Sequence, residues 1–197
     1  MAGGGRGATA DSLGMSIHSV ADLTAAKAAG ERLKYLYFWK HDRERDGSAG
    51  RGCLSQWWPG RFEAEGRSFA TAEHYMMWRK AVLFADEPMA ERILAARHPH
   101  EAKKLGGRVA GFDQQAWNEH RTPIVVAGNL AKFRADPELH DYLLTTGSRV
   151  LVEASPLDRI WGIGLAGDDP RAADPYRWRG LNLLGFALMR VRAELAA

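Results

Sequence analysis

The sequence predicts an α+β fold that is mostly helical, with a few short strands, in a single domain. Three observations carry this. Capping and first-turn signals recur through the middle of the chain, at Thr71, Asp86-Glu87-Pro88, Asp113 and Asp136-Pro137, and apolar residues at helical spacing follow them. Strand-like runs are few: LKYLYFW at 33–39 and VLVEA at 150–154. No internal repeat and no sharp change of composition divides the 197 residues, a length that suits one domain.

The elements follow in order. Ser19 caps a short helix that Gly30 ends. The aromatic run at 33–39 is a strand, and the polar stretch at 41–52 is a loop. Phe62 to Phe69 reads as a tight hairpin with Glu65-Gly66 at its turn. Thr71 starts a helix carrying Tyr75, Met76, Trp78 and Leu83. The next helix has Pro88 in its first turn, where a missing N–H costs little, and Met89, Ile93 and Leu94 as its apolar stripe. A short helix runs from about Pro99 to Gly106-Gly107. Asp113 caps a longer one reaching Phe133. Pro123 lies inside it and predicts a kink or a break, because its ring removes a hydrogen bond and crowds the preceding turn. Another helix lies between Asp136-Pro137 and Gly147. Residues 150–154 form a buried strand, and Trp161 to Tyr176 is a Gly/Asp/Pro-rich loop. The terminal helix, Leu181 to Leu195, places Leu184, Leu188, Val191 and Leu195 on one face, with Asn182 available to cap it. The Gly/Ala-rich residues 1–15 read as a disordered segment, which leaves 16–197 as the domain.

Composition excludes several classes. Hydrophobic content of 46% and charged content of 26% suit a soluble globular core. One cysteine, Cys53, excludes an internal disulfide and is compatible with a reducing cytoplasm, the expected location. No apolar stretch is long enough to span a bilayer, so no membrane partner is expected. The net charge of +3 comes from scattered Lys and Arg, whereas sequence-independent nucleic-acid binding calls for a basic stripe. His98 and His100 stand two apart with no cysteine beside them, so neither metal nor cofactor is expected. Gly162-Ile163-Gly164 is a lone GxG outside the strand–turn–helix setting of a phosphate loop.

Four features stand above this background. Glu73 falls in the first turn of a helix, where the dipole and free N–H groups favour its charged form. From the residues alone it is either a functional carboxylate or a surface group that complements the dipole. Asp158, Trp161, Gly162 and Gly164 cluster in a loop just beyond a strand, a common place for a site; a simple turn anchored by Trp161 has the same pattern. Asn182 heads the last helix. Aromatic residues are dense, and rings such as Phe38, Trp58 and Trp117 are natural walls for a base, although most aromatics in any domain belong to the core.

Taken together, these segments resemble the NADAR family, which includes the YbiA-like N-glycosidases. The matching runs are CLSQWWP at 53–59, FATAEHY at 69–75, EAKKLG at 101–106, Trp117, NLAKF at 129–133, LLTTG at 143–147, LVEASP at 151–156, Asp158 to Gly164, and NLLG at 182–185 on to Arg192. Each run is short; their order and spacing over Tyr35 to Leu195 are specific. The resemblance implies one compact YbiA-like domain and hydrolysis of the N-glycosidic bond of a ribosylated compound. Phosphoribosylamino-pyrimidine intermediates of riboflavin synthesis are one implied substrate class, and ADP-ribose attached to a nucleobase is another. It implies Glu73 as the leading catalytic residue and matches Asp158, Trp161 and Trp117 to the family's Asp and Trp positions. The chain departs from the family pattern at Gln56, where Asn is usual, at Trp57-Trp58, where Phe-Tyr is common, and at Pro123.

Such a reaction builds positive charge on the sugar in an oxocarbenium-like transition state. An ionised Glu73 suits charge stabilisation or water activation, and Asp158 either holds the ribose hydroxyls or shares the base role. Lys132, Arg79 or Arg159 is available to a phosphate, and backbone N–H groups at Gly162 and Gly164 to an anion. The expected partner is a small ribosylated substrate, with nucleic acid entering only in ADP-ribosylated form. The competing reading is a module that binds ADP-ribose or a nucleotide without hydrolysing it.

Overall fold

The structure, a computed structural model, describes residues 17–197; the segment read as disordered, 1–15, lies outside the described residues. Helix α1 (Val20–Ala28) starts where the Ser19 hydroxyl accepts the Asp22 N–H at 3.1 Å. Strand β1 (Tyr35–Phe38) is shorter than its aromatic run, because its one partner in the sheet, β4 (Val150–Glu153), has four residues to offer. The two run parallel, Tyr35 opposite Val150 and Phe38 opposite Glu153. A 3-10 turn at Gly50–Leu54 precedes the hairpin of β2 (Phe62–Ala64) and β3 (Arg67–Phe69). Glu65 and Gly66 both take left-handed backbone, φ 50° and 71°, as a two-residue turn matched to strand twist requires.

Helix α2 (Ala72–Leu83) begins at Thr71 and is buried at every residue from Ala72 to Trp78. It packs against α3 (Glu87–Leu94), α4 (Pro99–Gly106) and α5 (Gln114–Ala135). Helix α6 (Pro137–Thr145) and the terminal helix α7 (Leu183–Ala196) complete the fold. Helix α5 runs through Pro123 without a break. Pro123 is exposed, so the carbonyl it leaves unpaired is on the wet side of the helix, where water replaces the lost donor.

Asn182 does not cap α7. It sits at φ 52° with no side-chain capping bond. Its Oδ1 instead accepts the Glu153 N–H at 2.9 Å and its Nδ2 donates to the Leu151 carbonyl at 2.9 Å. Gly185 completes this seam, since a Cβ there would collide with the Leu151 carbonyl oxygen. Helix α7 therefore lies directly on β4 and fixes where that strand ends. No described helix is long and apolar enough to cross a membrane.

Candidate active site

Four stretches separated in sequence meet at a cleft of about 240 Å³. The Ser55–Trp57 segment contributes Gln56 and Trp57; α2 contributes Glu73, Met76, Met77 and Lys80; α4 contributes Lys103 and Gly106; the end of β4 and the loop after it contribute Glu153, Asp158 and Trp161. Each stretch is fastened. The Glu73 N–H donates to the Gln56 carbonyl at 3.0 Å, which joins the start of α2 to the first segment. Thr71 and His74 lock that start: Thr71 Oγ1 lies 2.8 Å from His74 Nδ1, and His74 Nε2 lies 3.2 Å from the Ala96 carbonyl. A carbonyl only accepts, so Nε2 carries the hydrogen, and burial draws the imidazole pKa down, which keeps the ring neutral. Gln56 is held by Asn129, whose Nδ2 donates to Gln56 Oε1 at 2.8 Å.

The cleft gathers three carboxyl groups. Glu73 is 3% exposed. Burial pushes its carboxyl up to about 7; Lys103 and a hydrogen bond from the Trp57 side chain pull it back, and Asp158 adds to the rise. Desolvation thus outweighs the helix dipole, and the sequence-based expectation that Glu73 is held ionised is corrected: it titrates near neutrality. Glu153 is pushed up to about 8, by burial first and then by the negative charges of Asp158 and Glu73, with Lys103 opposing. Glu73 Oε1 and Glu153 Oε2 are both buried without a hydrogen-bond partner. Asp158 is oriented by its own loop: its Oδ1 accepts the N–H groups of Ile160 and Trp161, each at 2.8 Å.

Of the residues singled out in the sequence, Glu73, Asp158 and Trp161 come together at this cleft. The others sit elsewhere. Trp58 is 1% exposed in the core, with the Arg43 guanidinium 4.9 Å from its ring centre; its neighbour Trp57 is the one at the cleft. Trp117 is buried one layer behind, with the Lys80 ammonium 5.5 Å from its ring. Lys132 is 2% exposed, and its ammonium donates to the Cys53 and Ser55 carbonyls at 2.6 and 2.8 Å. It anchors the segment carrying Gln56 and Trp57 rather than facing a ligand. Cys53 beside it is buried, its thiol pushed up to about 12. Gly162 is required by close packing, since a Cβ would come within 2.8 Å of the Glu153 carbonyl. The Gly164 N–H is already used, donating to the Asp158 carbonyl at 3.0 Å. Asn182 is fully buried on β4. Phe38 is buried at a second, larger groove of about 640 Å³ that also involves Trp39, Lys40, Arg43 and Arg51. That groove includes Ala154, the residue after Glu153, so the two depressions share the wall at the end of β4.

Sequence reasoning missed Glu153, Trp57, Lys80 and Lys103 as cleft residues. Trp57, Lys103 and Glu153 each lie in one of the runs that resemble the family, and Glu153 also closes the otherwise apolar strand Val150–Glu153, a place where an unpaired charge is costly.

The chain is similar to known proteins over most of its length. The NADAR domain profile matches residues 37–196. An N-glycosidase of Acanthamoeba polyphaga mimivirus is 40% identical over 169 residues, covering 83% of this chain and 98% of the viral protein. The chloroplastic riboflavin biosynthesis protein PYRR of Zea mays is 35% identical over 136 residues, 65% of this chain and 20% of the maize protein. The NMR structure of the Escherichia coli protein YbiA superposes with a TM-score of 0.67 at 25% identity, covering 84% of this chain and 87% of the other.

Proposed function

The chain belongs to the NADAR family, and from that premise we propose that it is an N-glycosidase that hydrolyses the ribosyl C–N bond of a phosphoribosylated or ADP-ribosylated small molecule or nucleobase. The observation that carries this is the buried, partnerless carboxyl oxygen of Glu73 in a cleft shared with Asp158. An oxocarbenium-like transition state places positive charge that the unpartnered oxygen of such a carboxyl can stabilise. Glu73, titrating near 7, takes the proton of the attacking water, and Asp158 at the same cleft meets the ribose. Trp57 and Trp161 flank the sugar or base.

A riboflavin-pathway phosphoribosylamino-pyrimidine is the favoured substrate, supported by the similarity to the maize riboflavin biosynthesis protein. Guanine carrying ADP-ribose in nucleic acid is the alternative. The test is a panel of phosphoribosylamino-pyrimidine, ADP-ribosylated guanosine, ADP-ribosylated DNA and NAD, with released base and sugar followed by mass spectrometry. Glu73→Gln is expected to lower turnover at least about 100-fold while remaining folded. Binding without release from any compound would replace the hydrolase by a binding module. Near-normal turnover of the variant would remove Glu73 from the mechanism.

A further inference from the structure

Resting on the hydrolase reading above, we infer that Glu153 is the acid that protonates the leaving nitrogen, with Glu73 as the base that completes the pair. The geometry sets the two apart from the other carboxyl groups among the described residues. They reach one cleft from different elements, Glu73 from the first turn of α2 and Glu153 from the end of β4. Each presents a buried oxygen with no protein partner. The Glu153 backbone is also fixed: its N–H donates to Asn182 Oδ1 at 2.9 Å, and its carbonyl accepts the Ile163 N–H at 2.9 Å. A proton donor gains from a backbone anchored at the cleft more than a surface carboxylate does.

The charges around it sort the roles. Glu73 and Lys80 of α2, Lys103 of α4 and Asp158 of the following loop share the cleft with Glu153. Three carboxyl groups against two ammonium groups favour retention of one proton. Lys103 and the Trp57 hydrogen bond oppose the rise at Glu73, whereas Asp158 and Glu73 both add to it at Glu153, so the proton rests on Glu153. Two neighbouring titratable groups whose affinities are pushed apart form an acid and a base.

In the step that follows, the ribosyl C–N bond breaks and its electron pair stays on nitrogen, which takes the proton from Glu153. Water adds its oxygen to the ribosyl carbon and gives a proton to Glu73. Transfer of that proton from Glu73 to Glu153 restores the resting state. The products are a free amine and a sugar hydroxyl, and no other reactant is consumed.

The test compares wild type, Glu153→Gln and Glu153→Asp on whichever riboside the wild type hydrolyses, across pH. Wild-type kcat is expected to fall as pH rises through about 8, the region where Glu153 loses its proton. Glu153→Gln should lower kcat at least about 100-fold, with KM nearly unchanged, and abolish that alkaline fall. Glu153→Asp should keep the alkaline fall at reduced kcat. Infrared spectra at neutral pH should show a neutral carboxylic acid stretch in wild type that is clearly weaker in Glu153→Gln. Normal kcat in Glu153→Gln, or lost kcat with the alkaline fall retained, would overturn the assignment and leave the hydrolase reading intact. A wild type that hydrolyses no riboside would overturn both.

Discussion

Glu73 meets the consequences of being an acid without water. Its folded pKa of about 7 stands above the ordinary 4.5. Below 4.5 it is protonated folded and unfolded alike and costs the fold no charge. Between the two values the unfolded chain ionises first, and stability falls as pH rises; above 7 the full penalty applies. Glu73→Gln is therefore expected to stabilise the protein at pH 8 by on the order of 1–3 kcal/mol and by much less at pH 5, read from urea unfolding at both values. An equal effect at both would contradict the burial argument. The adjacent tryptophans give a second contrast at this scale. Trp58→Ala removes a core ring and should cost about 3–5 kcal/mol of stability. Trp57→Ala should leave stability closer to wild type and lower kcat/KM instead, since its ring lies at the cleft. Unfolding curves and kinetics on the same two proteins decide it.

Between residue and fold lies the seam joining α7 to β4. Asn182 gives that seam two hydrogen bonds, one to the strand's N–H at Glu153 and one to its carbonyl at Leu151. Asn182→Ala leaves both backbone groups buried and unpaired, for an expected loss of about 2–4 kcal/mol. Gly185→Ala should act on the same seam by pushing α7 off the strand. Because the seam also fixes Glu153, Asn182→Ala should lower kcat in proteins that are still folded at the assay temperature. Activity unchanged at reduced stability would show that Glu153 is aimed by something else. The start of α2 works alike: Thr71 both accepts the His74 N–H and meets the ring that bonds to Ala96, so one cap positions the helix turn bearing Glu73.

At the scale of the molecule, the cleft exists only where the Ser55–Trp57 segment, α2, α4 and the end of β4 meet. A ligand filling it joins elements that otherwise separate on unfolding. Ribose 5-phosphate, a product-like probe, is expected to stabilise the fold by about 2.7 kcal/mol at a hundred times its Kd. Thermal shift measures this, and Asp158→Asn should reduce it. A probe that shifts neither protein would place the ribose subsite elsewhere.

The elements were legible in the sequence to within a few residues because their signals are local. Thr71, Asp86, Asp113 and Asp136 each cap the helix they precede, and Glu65-Gly66 makes the hairpin turn through backbone angles that the pair accepts. Pro123 does not break α5 because its cost depends on which side of the helix faces water, a property of packing. In the site, Glu73, Asp158 and Trp161 were legible from their place in a first turn and a post-strand loop. Trp57 against Trp58, and Lys132 as anchor rather than ligand, were not: adjacent positions or identical chemistries carry the same local signal and differ only in what surrounds them. The sequence by itself thus determined where the chain turns, caps and extends. Tertiary structure alone decided which carboxyl groups share a cleft and lose their water, because desolvation and charge coupling arise from groups brought close in space by segments some eighty residues apart, such as Glu73 and Glu153.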